Sequence, residues 1–218
     1  MSVRDWVRQN VPQSTTVYES VAHHRRLRAS RGRIKALEES GAPILLDIGG
    51  GDAHHKGNWL TVDLVPQCDI YWDLRNGIPF TDDRVERVYS SHVLEHIPFR
   101  GGQALLADVL RCLVPGGSLS ICVPNAGMYL RAYVTGTELP AEYYNWASAY
   151  NETTAIDAVN YTAYMDGHHA YMFDEENLLK RLELAGFENV QLRDFDPELD
   201  RAERHFESIY AIGYKASR

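Results

Sequence analysis

The chain has 218 residues and a net charge of −8, with 44% hydrophobic and 24% charged residues. These values are typical of a globular protein, so they exclude global disorder. An acidic chain is also a poor general binder of duplex DNA, because contacts with phosphates need clustered lysine and arginine side chains.

The predicted elements begin with a helical segment and continue as alternating strands and helices. Residues 1–40 form the helical segment, with a helix over about 15–39 that ends at Gly41. Short apolar runs predict strands at 44–48, 59–64, 69–74, 87–91, 118–123, 190–195 and 208–214. Apolar residues at helical spacing predict further helices over 101–113 and 174–185.

This alternation is typical of an α/β fold. It predicts a Rossmann-like, mostly parallel seven-stranded sheet with helices on both faces, formed by residues 41–218. The last two strands follow each other closely, so one of them can run antiparallel. Residues 124–172 interrupt the alternation, are long for a connection and are rich in tyrosine, so we expect an aromatic-rich cap there.

Glycines and acidic residues follow the predicted strands where open α/β sheets bind ligands. Asp47 leads into Gly49, Gly50 and Gly51, whose backbone can approach a ligand closely. Asp63 ends the second strand, where a carboxylate can accept both hydroxyls of a ribose. A nicotinamide dinucleotide is disfavoured, because His54 stands where the dinucleotide-binding motif has its third glycine.

Two further groups complete this pattern. Asp73 and Leu74 stand at the end of the third strand and offer the acceptor and donor that an adenine edge needs. Ser91 ends the fourth strand and is followed by His92 and by the pair Glu95–His96.

These elements together resemble class I S-adenosylmethionine-dependent methyltransferases, in particular a small bacterial branch. The resemblance rests on the glycine loop, GNWLTVDL, DLRNGIPF, SSHVLEHI and LVPGG, covers residues 43–124 and resumes weakly at FDEENLLKRLELAGF. It implies S-adenosylmethionine as the cofactor. The cofactor-binding residues it implies are Asp47, Gly49, Gly51, Asp63, Leu64, Asp73, Leu74 and Ser91.

Within the resemblance, the glycines line the methionine part of the cofactor and Asp47 holds its amino group. Asp63 binds the ribose, Asp73 and Leu74 face the adenine, and the Ser91 carbonyl contacts the amino group. One departure is that only about seven residues separate Gly51 from Trp59, too few for the usual helix. This short connection also suits a rival reading, a non-catalytic protein of the same fold that binds a nucleotide.

Histidines are the candidate catalytic groups, since removing a hydroxyl proton near pH 7 suits an imidazole. His96 and His169 are the leading candidates for the general base, with His92 and His168 behind them. His54 and His55 resemble a metal-binding pair, but adjacent side chains point apart, so we expect no metal.

The acceptor is the least determined part of the prediction. We expect a small hydroxylated molecule, such as a saccharide or a nucleotide-linked sugar, methylated on oxygen. The alternatives are methylation on nitrogen and methylation of another small metabolite. The cap tyrosines can stack on sugars, and a basic stretch of the first helix can bind an anion or remain solvated. That stretch contains Arg25, Arg26, Arg28, Arg31, Arg33 and Lys35.

The remaining expectations concern partners and location. Cys68, Cys112 and Cys122 are scattered, which gives no support to zinc binding and suits a reducing compartment. We find no signal peptide at the N-terminus and no apolar run that is long enough to cross a bilayer. We therefore expect a cytoplasmic protein that binds no nucleic acid; a homo-oligomer is left open.

Overall fold

The computed structural model describes residues 13–51, 58–145 and 153–217. In this part of the chain, five α-helices and seven strands alternate with short 3₁₀ turns. The helices are α1 Gln13–Ser40, α2 Phe99–Cys112, α3 Ala126–Thr135, α4 Ala155–Tyr164 and α5 Glu175–Ala185. The strands are β1 Leu45–Ile48, β2 Trp59–Asp63, β3 Ile70–Tyr71, β4 Val85–Ser91, β5 Leu113–Pro124, β6 Glu188–Leu192 and β7 Ser208–Tyr214.

The seven strands form one mixed sheet in the order β3-β2-β1-β4-β5-β7-β6. Strands β1 to β5 run parallel, whereas β7 is antiparallel to both β5 and β6. The predicted Rossmann-like sheet is therefore confirmed, including the reversal of one terminal strand. The order changes direction at β1, so the carboxyl ends of β1, β2 and β4 frame a crevice of the kind that binds ligands.

Burial explains why the central strands read as apolar runs. Leu46, Val62 and Leu119 are completely buried in the core, and Val88 is 1% exposed. Parallel strands covered on both faces require such residues at successive positions. Asp47 on β1 and Thr61 on β2 are polar residues that are nevertheless buried.

Several predicted boundaries were wrong by a few residues. The third strand ends at Tyr71 rather than residue 74, because Asp73 accepts a hydrogen bond from the Arg75 amide and caps a 3₁₀ helix at Leu74–Asn76. The fifth strand begins earlier, at Leu113, where the chain leaves α2 directly. The sixth strand lies at Glu188–Leu192, and α5 begins after its N-cap residue, Asp174.

Helix α1 covers the β3 edge of the sheet. Ser30 Oγ accepts a hydrogen bond from the Tyr71 amide at 2.8 Å, and Arg33 forms a 2.9 Å salt bridge with Asp69. Ile34 of the same helix belongs to the core. A side chain thus bonds an edge amide that would otherwise be open to another strand, which protects the edge.

The segment predicted as a cap contains helical elements. It holds α3, a 3₁₀ turn at Ala141–Asn145, α4 and a second 3₁₀ turn at Met165–Gly167. Two aromatic residues of the predicted cap, Trp146 and Tyr150, lie outside the described residues. Among the helices of the described segments, none has the length and apolarity required to cross a membrane.

Candidate functional site

The conformation of the loop after β1 requires glycine at positions 49, 50 and 51. Gly49 and Gly51 have φ angles of 75° and 65°, which glycine adopts without steric cost. A Cβ on Gly49 would collide with the Val93 side chain, and one on Gly50 would collide with the Asp47 carboxylate. The Gly49 amide donates to the Val62 carbonyl at 2.8 Å, which fixes the loop against β2.

Asp63 stands at the end of β2, facing this loop. Its Oδ2 accepts a hydrogen bond from the Gly51 amide at 2.9 Å, and its Oδ1 accepts one from the Leu64 amide at 2.5 Å. An ionised carboxylate offers about four lone-pair sites. Two backbone bonds therefore orient Asp63 and leave it able to accept further hydrogen bonds from a ligand.

Asp73 is more heavily engaged than the sequence indicated. The Arg75 guanidinium donates to both of its carboxylate oxygens, at 2.6–3.1 Å. These bonds from Arg75, opposed by partial burial, hold the pKa of Asp73 below its usual value. The carboxylate is thus ionised and oriented, but Arg75 already occupies part of its hydrogen-bonding capacity.

These residues line a cleft of about 400 Å³ at the ends of β1, β2 and β4. The predicted residues that line it are Gly49, Asp63, Leu64, Asp73, Leu74, His92 and His96. Four further lining residues were not predicted from the sequence: Trp72, Arg75, Val93 and Ile97. The only sequence feature that could have indicated them is their position, since each lies within two residues of a predicted one.

The other predicted cofactor residues lie beside the cleft rather than on its surface. The Asp47 side chain is buried against the backbone of the glycine loop. Ser91 Oγ is 3.1 Å from Cys122 Sγ of the neighbouring strand. Gly51 contacts the cleft through its hydrogen bond to Asp63. The contacts assigned to Asp47, Gly51 and Ser91 stay predictions.

His92 follows β4 with a positive φ of 52°, a conformation that is rare for residues other than glycine and often marks functional sites. Its Nε2 lies 2.8 Å from Ser208 Oγ, which itself donates to the Arg204 carbonyl. Ser208 therefore accepts from Nε2–H, and His92 Nδ1 carries no proton. Burial lowers the pKa of His92 well below its usual value and keeps the ring neutral.

His96, His168 and His169 meet although more than seventy residues separate the first from the others. The amides of Ala170 and Tyr171 donate to the Glu95 carbonyl at 2.7 and 3.1 Å, which fastens the end of the cap segment to the turn after β4. The rings of His96 and His169 then lie 4.9 Å apart, edge to face. His168 is exposed and contributes its carbonyl oxygen, 2.9 Å from His96 Nδ1.

Glu95 lies at the centre of these histidines. It is 2% exposed, and within the described part of the chain neither carboxylate oxygen has a hydrogen-bond partner. Glu95 Oε1 lies 3.7 Å from both His92 Nδ1 and His96 Nε2. Burial raises the pKa of Glu95 to about 8. From the sequence, Glu95 was noted only as the neighbour of His96, because burial is not visible in a short polar motif.

A separate cavity of about 360 Å³ lies among the cap helices. Tyr129 and Tyr143 are buried with their rings 5.7 Å apart, and Tyr129 donates to Glu207 Oε2 at 2.6 Å. Tyr133 and Tyr144 also line the cavity but are about half exposed. The four tyrosines that line this cavity therefore divide into a packed pair and an exposed pair that remains open to a ligand.

The comparisons with known proteins agree with this architecture. The family described as "Methyltransferase domain" matches residues 21–192. The chain belongs to this family, and the predicted resemblance to class I S-adenosylmethionine-dependent methyltransferases is confirmed. No curated protein matches the chain.

The chain is also similar to solved structures at low sequence identity. A methyltransferase from Bacillus halodurans C-125, described as putative, is 16% identical with a TM-score of 0.51 over 84% of this chain and 99% of its own. An S-adenosylmethionine-dependent methyltransferase from Mesorhizobium loti is 17% identical with a TM-score of 0.46, over 83% of this chain and 96% of its own.

Proposed function

We propose that this protein transfers the methyl group of S-adenosylmethionine to a hydroxyl oxygen of a small acceptor. The observation that carries the proposal is the cleft where the glycine loop and Asp63 adjoin a cluster of histidines. When bound, S-adenosylmethionine supplies a methyl group already activated by its sulfonium. The protein has then to hold the acceptor in line with that methyl and to remove the proton of its hydroxyl.

The residues of the cleft fit this cofactor. Asp63 keeps lone pairs free for two ribose hydroxyls, and its orientation is fixed by two backbone amides. Asp73 and Leu74 line the same cleft, and we assign them to the adenine. We assign the methionine part to the glycine loop, through Gly49 and Gly51, with Asp47 and the Ser91 carbonyl near its amino group.

We assign the role of base to the histidines beside this cleft. His96 lines the cleft, and because a carbonyl oxygen only accepts, its Nδ1 donates to the His168 carbonyl. Its Nε2 is thus free to accept a proton. His169 has the same arrangement, with Nδ1 bonded to the Thr162 carbonyl at 2.8 Å. His92 is more deeply buried and His168 is exposed, so they remain the weaker candidates.

We further propose an acceptor that is hydroxylated and anionic, such as a sugar linked to a phosphate. The basic residues of α1 support this acceptor. Arg26 stacks on Tyr71, and Arg33 pairs with Asp69. The other four are exposed, although Lys35 also pairs with the exposed Glu39 of the same helix at 3.8 Å. These other residues, the exposed basic set, are Arg25, Arg28, Arg31 and Lys35. The exposed cap tyrosines, Tyr133 and Tyr144, offer flat faces for a sugar ring.

Two expectations from the sequence remain proposals. The three cysteines are free thiols, which supports a reducing, cytoplasmic location. The rival function is non-catalytic nucleotide binding, and its support was the short connection after Gly51. Residues 52–57 of that connection lie outside the described residues.

One experiment separates the two functions. Calorimetry with S-adenosylhomocysteine measures binding, and a methyl-labelled cofactor measures transfer to a set of nucleotide-linked sugars, with simple phenols as the comparison. Binding together with O-methylated sugar is the expected result, with the methylated atom located by NMR of the product. Binding without transfer to any acceptor favours the rival, and no binding at all contradicts both.

A further inference from the structure

Three imidazoles surround the buried Glu95 side chain, and each in its neutral form presents a nitrogen without a proton. His96 and His169 use their Nδ1 protons on the carbonyls of His168 and Thr162. His92 uses its Nε2 proton on Ser208. The nitrogens left are therefore Nε2 of His96 and His169 and Nδ1 of His92, and each is an acceptor.

These acceptor nitrogens lie close to the Glu95 carboxyl group, to which no described group donates a hydrogen bond. Glu95 Oε1 lies 3.7 Å from Nε2 of His96, and ligand atoms of Glu95, His96 and His169 all lie within 4.8 Å of one another. Lone pairs that converge in this way repel each other unless a proton or a cation stands between them. A single proton on Glu95 can satisfy only one of the three nitrogens.

The hydrogen bonds that Nδ1 of His96 and of His169 make with backbone carbonyls are typical of histidines that bind a metal. A histidine that binds a metal through one nitrogen commonly donates its other N–H to a backbone carbonyl, which fixes the tautomer and the ring orientation. Both His96 and His169 show this pattern. Among the described residues, His96 also lines the cofactor cleft, so a cation on its Nε2 would stand beside that cleft.

We propose that Glu95, His96 and His169 bind one divalent first-row metal cation such as Zn²⁺ or Mn²⁺. Two imidazoles and a carboxylate are a usual donor set for such ions and leave positions open for a substrate. With bonds of about 2.1 Å the ligand atoms would stand roughly 3–3.5 Å apart, so small rotamer changes are enough. This proposal replaces the sequence-based expectation of no metal.

The role of the cation rests on the proposed function. A bound cation would coordinate the acceptor hydroxyl and lower its pKa. The O–H bond breaks and its proton passes to water, and the oxygen forms its bond to the methyl carbon while the carbon–sulfur bond breaks, leaving a neutral thioether. In that case His96 and His169 would act as ligands of the cation. The cation, rather than these histidines acting as bases, would then activate the hydroxyl.

Cobalt provides a direct test that does not depend on turnover. The full chain is treated with a chelator, desalted and titrated with Co²⁺, and the visible absorption of the bound ion is recorded. We expect one equivalent to bind to the wild type, and binding at least about tenfold weaker in Glu95→Gln and His96→Ala. His24→Ala, which removes an exposed histidine of α1, is the matched control and should bind as the wild type does.

His96→Ala is included in case Glu95→Gln fails to fold. The His96 side chain is 41% exposed, so its truncation should disturb the fold less than a change at the buried Glu95. Cobalt bands of equal strength in wild type and both variants, or no bound cobalt in the wild type, would overturn the metal site. Turnover that is unchanged by metal removal and addition would overturn its catalytic role. S-adenosylhomocysteine binding to the metal-free protein is measured in parallel: if it persists without cobalt binding, the metal inference fails and the proposed function stands.

Discussion

Replacing Asp63 by alanine tests the assignment of the cofactor site most directly. Its carboxylate is held by the Gly51 and Leu64 amides and faces the cleft with lone pairs to spare. If it accepts two ribose hydroxyls, the variant loses two charge-assisted bonds of about 1.5–3 kcal/mol each. Affinity for S-adenosylhomocysteine should then fall by about 10²–10⁴-fold, at 1.4 kcal/mol per factor of ten.

The same substitution also frees the Gly51 amide, so the effect on the loop has to be separated from the effect on the ligand. Asp69→Asn is a suitable control, because Asp69 accepts from the Thr61 amide and hydroxyl and pairs with Arg33 without lining the cleft. The control should lower the melting temperature but leave the affinity nearly unchanged. The measurements are calorimetry at 25 °C and thermal unfolding by circular dichroism. Unchanged affinity in a folded Asp63→Ala protein would refute the ribose assignment.

Three further predictions concern catalysis, the acceptor and stability. His96→Ala and His169→Ala should each lower kcat by about 10²–10⁴; near-native rates in both, and in the weaker histidine candidates, would mean that positioning alone drives transfer. Charge reversal of the exposed basic set should raise KM for an anionic acceptor with little change in kcat, because uniform binding is lost; an unchanged KM would contradict anion binding. Arg193→Ala removes the bidentate partner of Asp200, whose side chain is fully buried. The substitution should lower the free energy of unfolding by about 3–5 kcal/mol, as measured by denaturant unfolding. A loss under about 1 kcal/mol, typical of exposed ion pairs, would refute this prediction.

Local pattern alone was enough to predict the sheet and many of the residues that line the cleft. Apolar runs such as those around Leu46 and Val62 identify buried strands, since a strand covered on both faces has no polar alternation. Gly49 and Asp63 could be placed because parallel strands end at one edge of the sheet. The sequence therefore determined which residues reach that edge, as long as each lay directly after its strand.

Tertiary structure decided what those residues contact. The sequence indicated Asp73 but not that Arg75 would occupy its carboxylate. It indicated His96 and His169 separately, but only the attachment of the cap segment to the Glu95 carbonyl brings the two rings together. Burial of the Glu95 carboxylate likewise depends on several elements at once. Contacts between residues far apart in the chain follow from packing of the whole fold, which a local pattern of residue types does not encode.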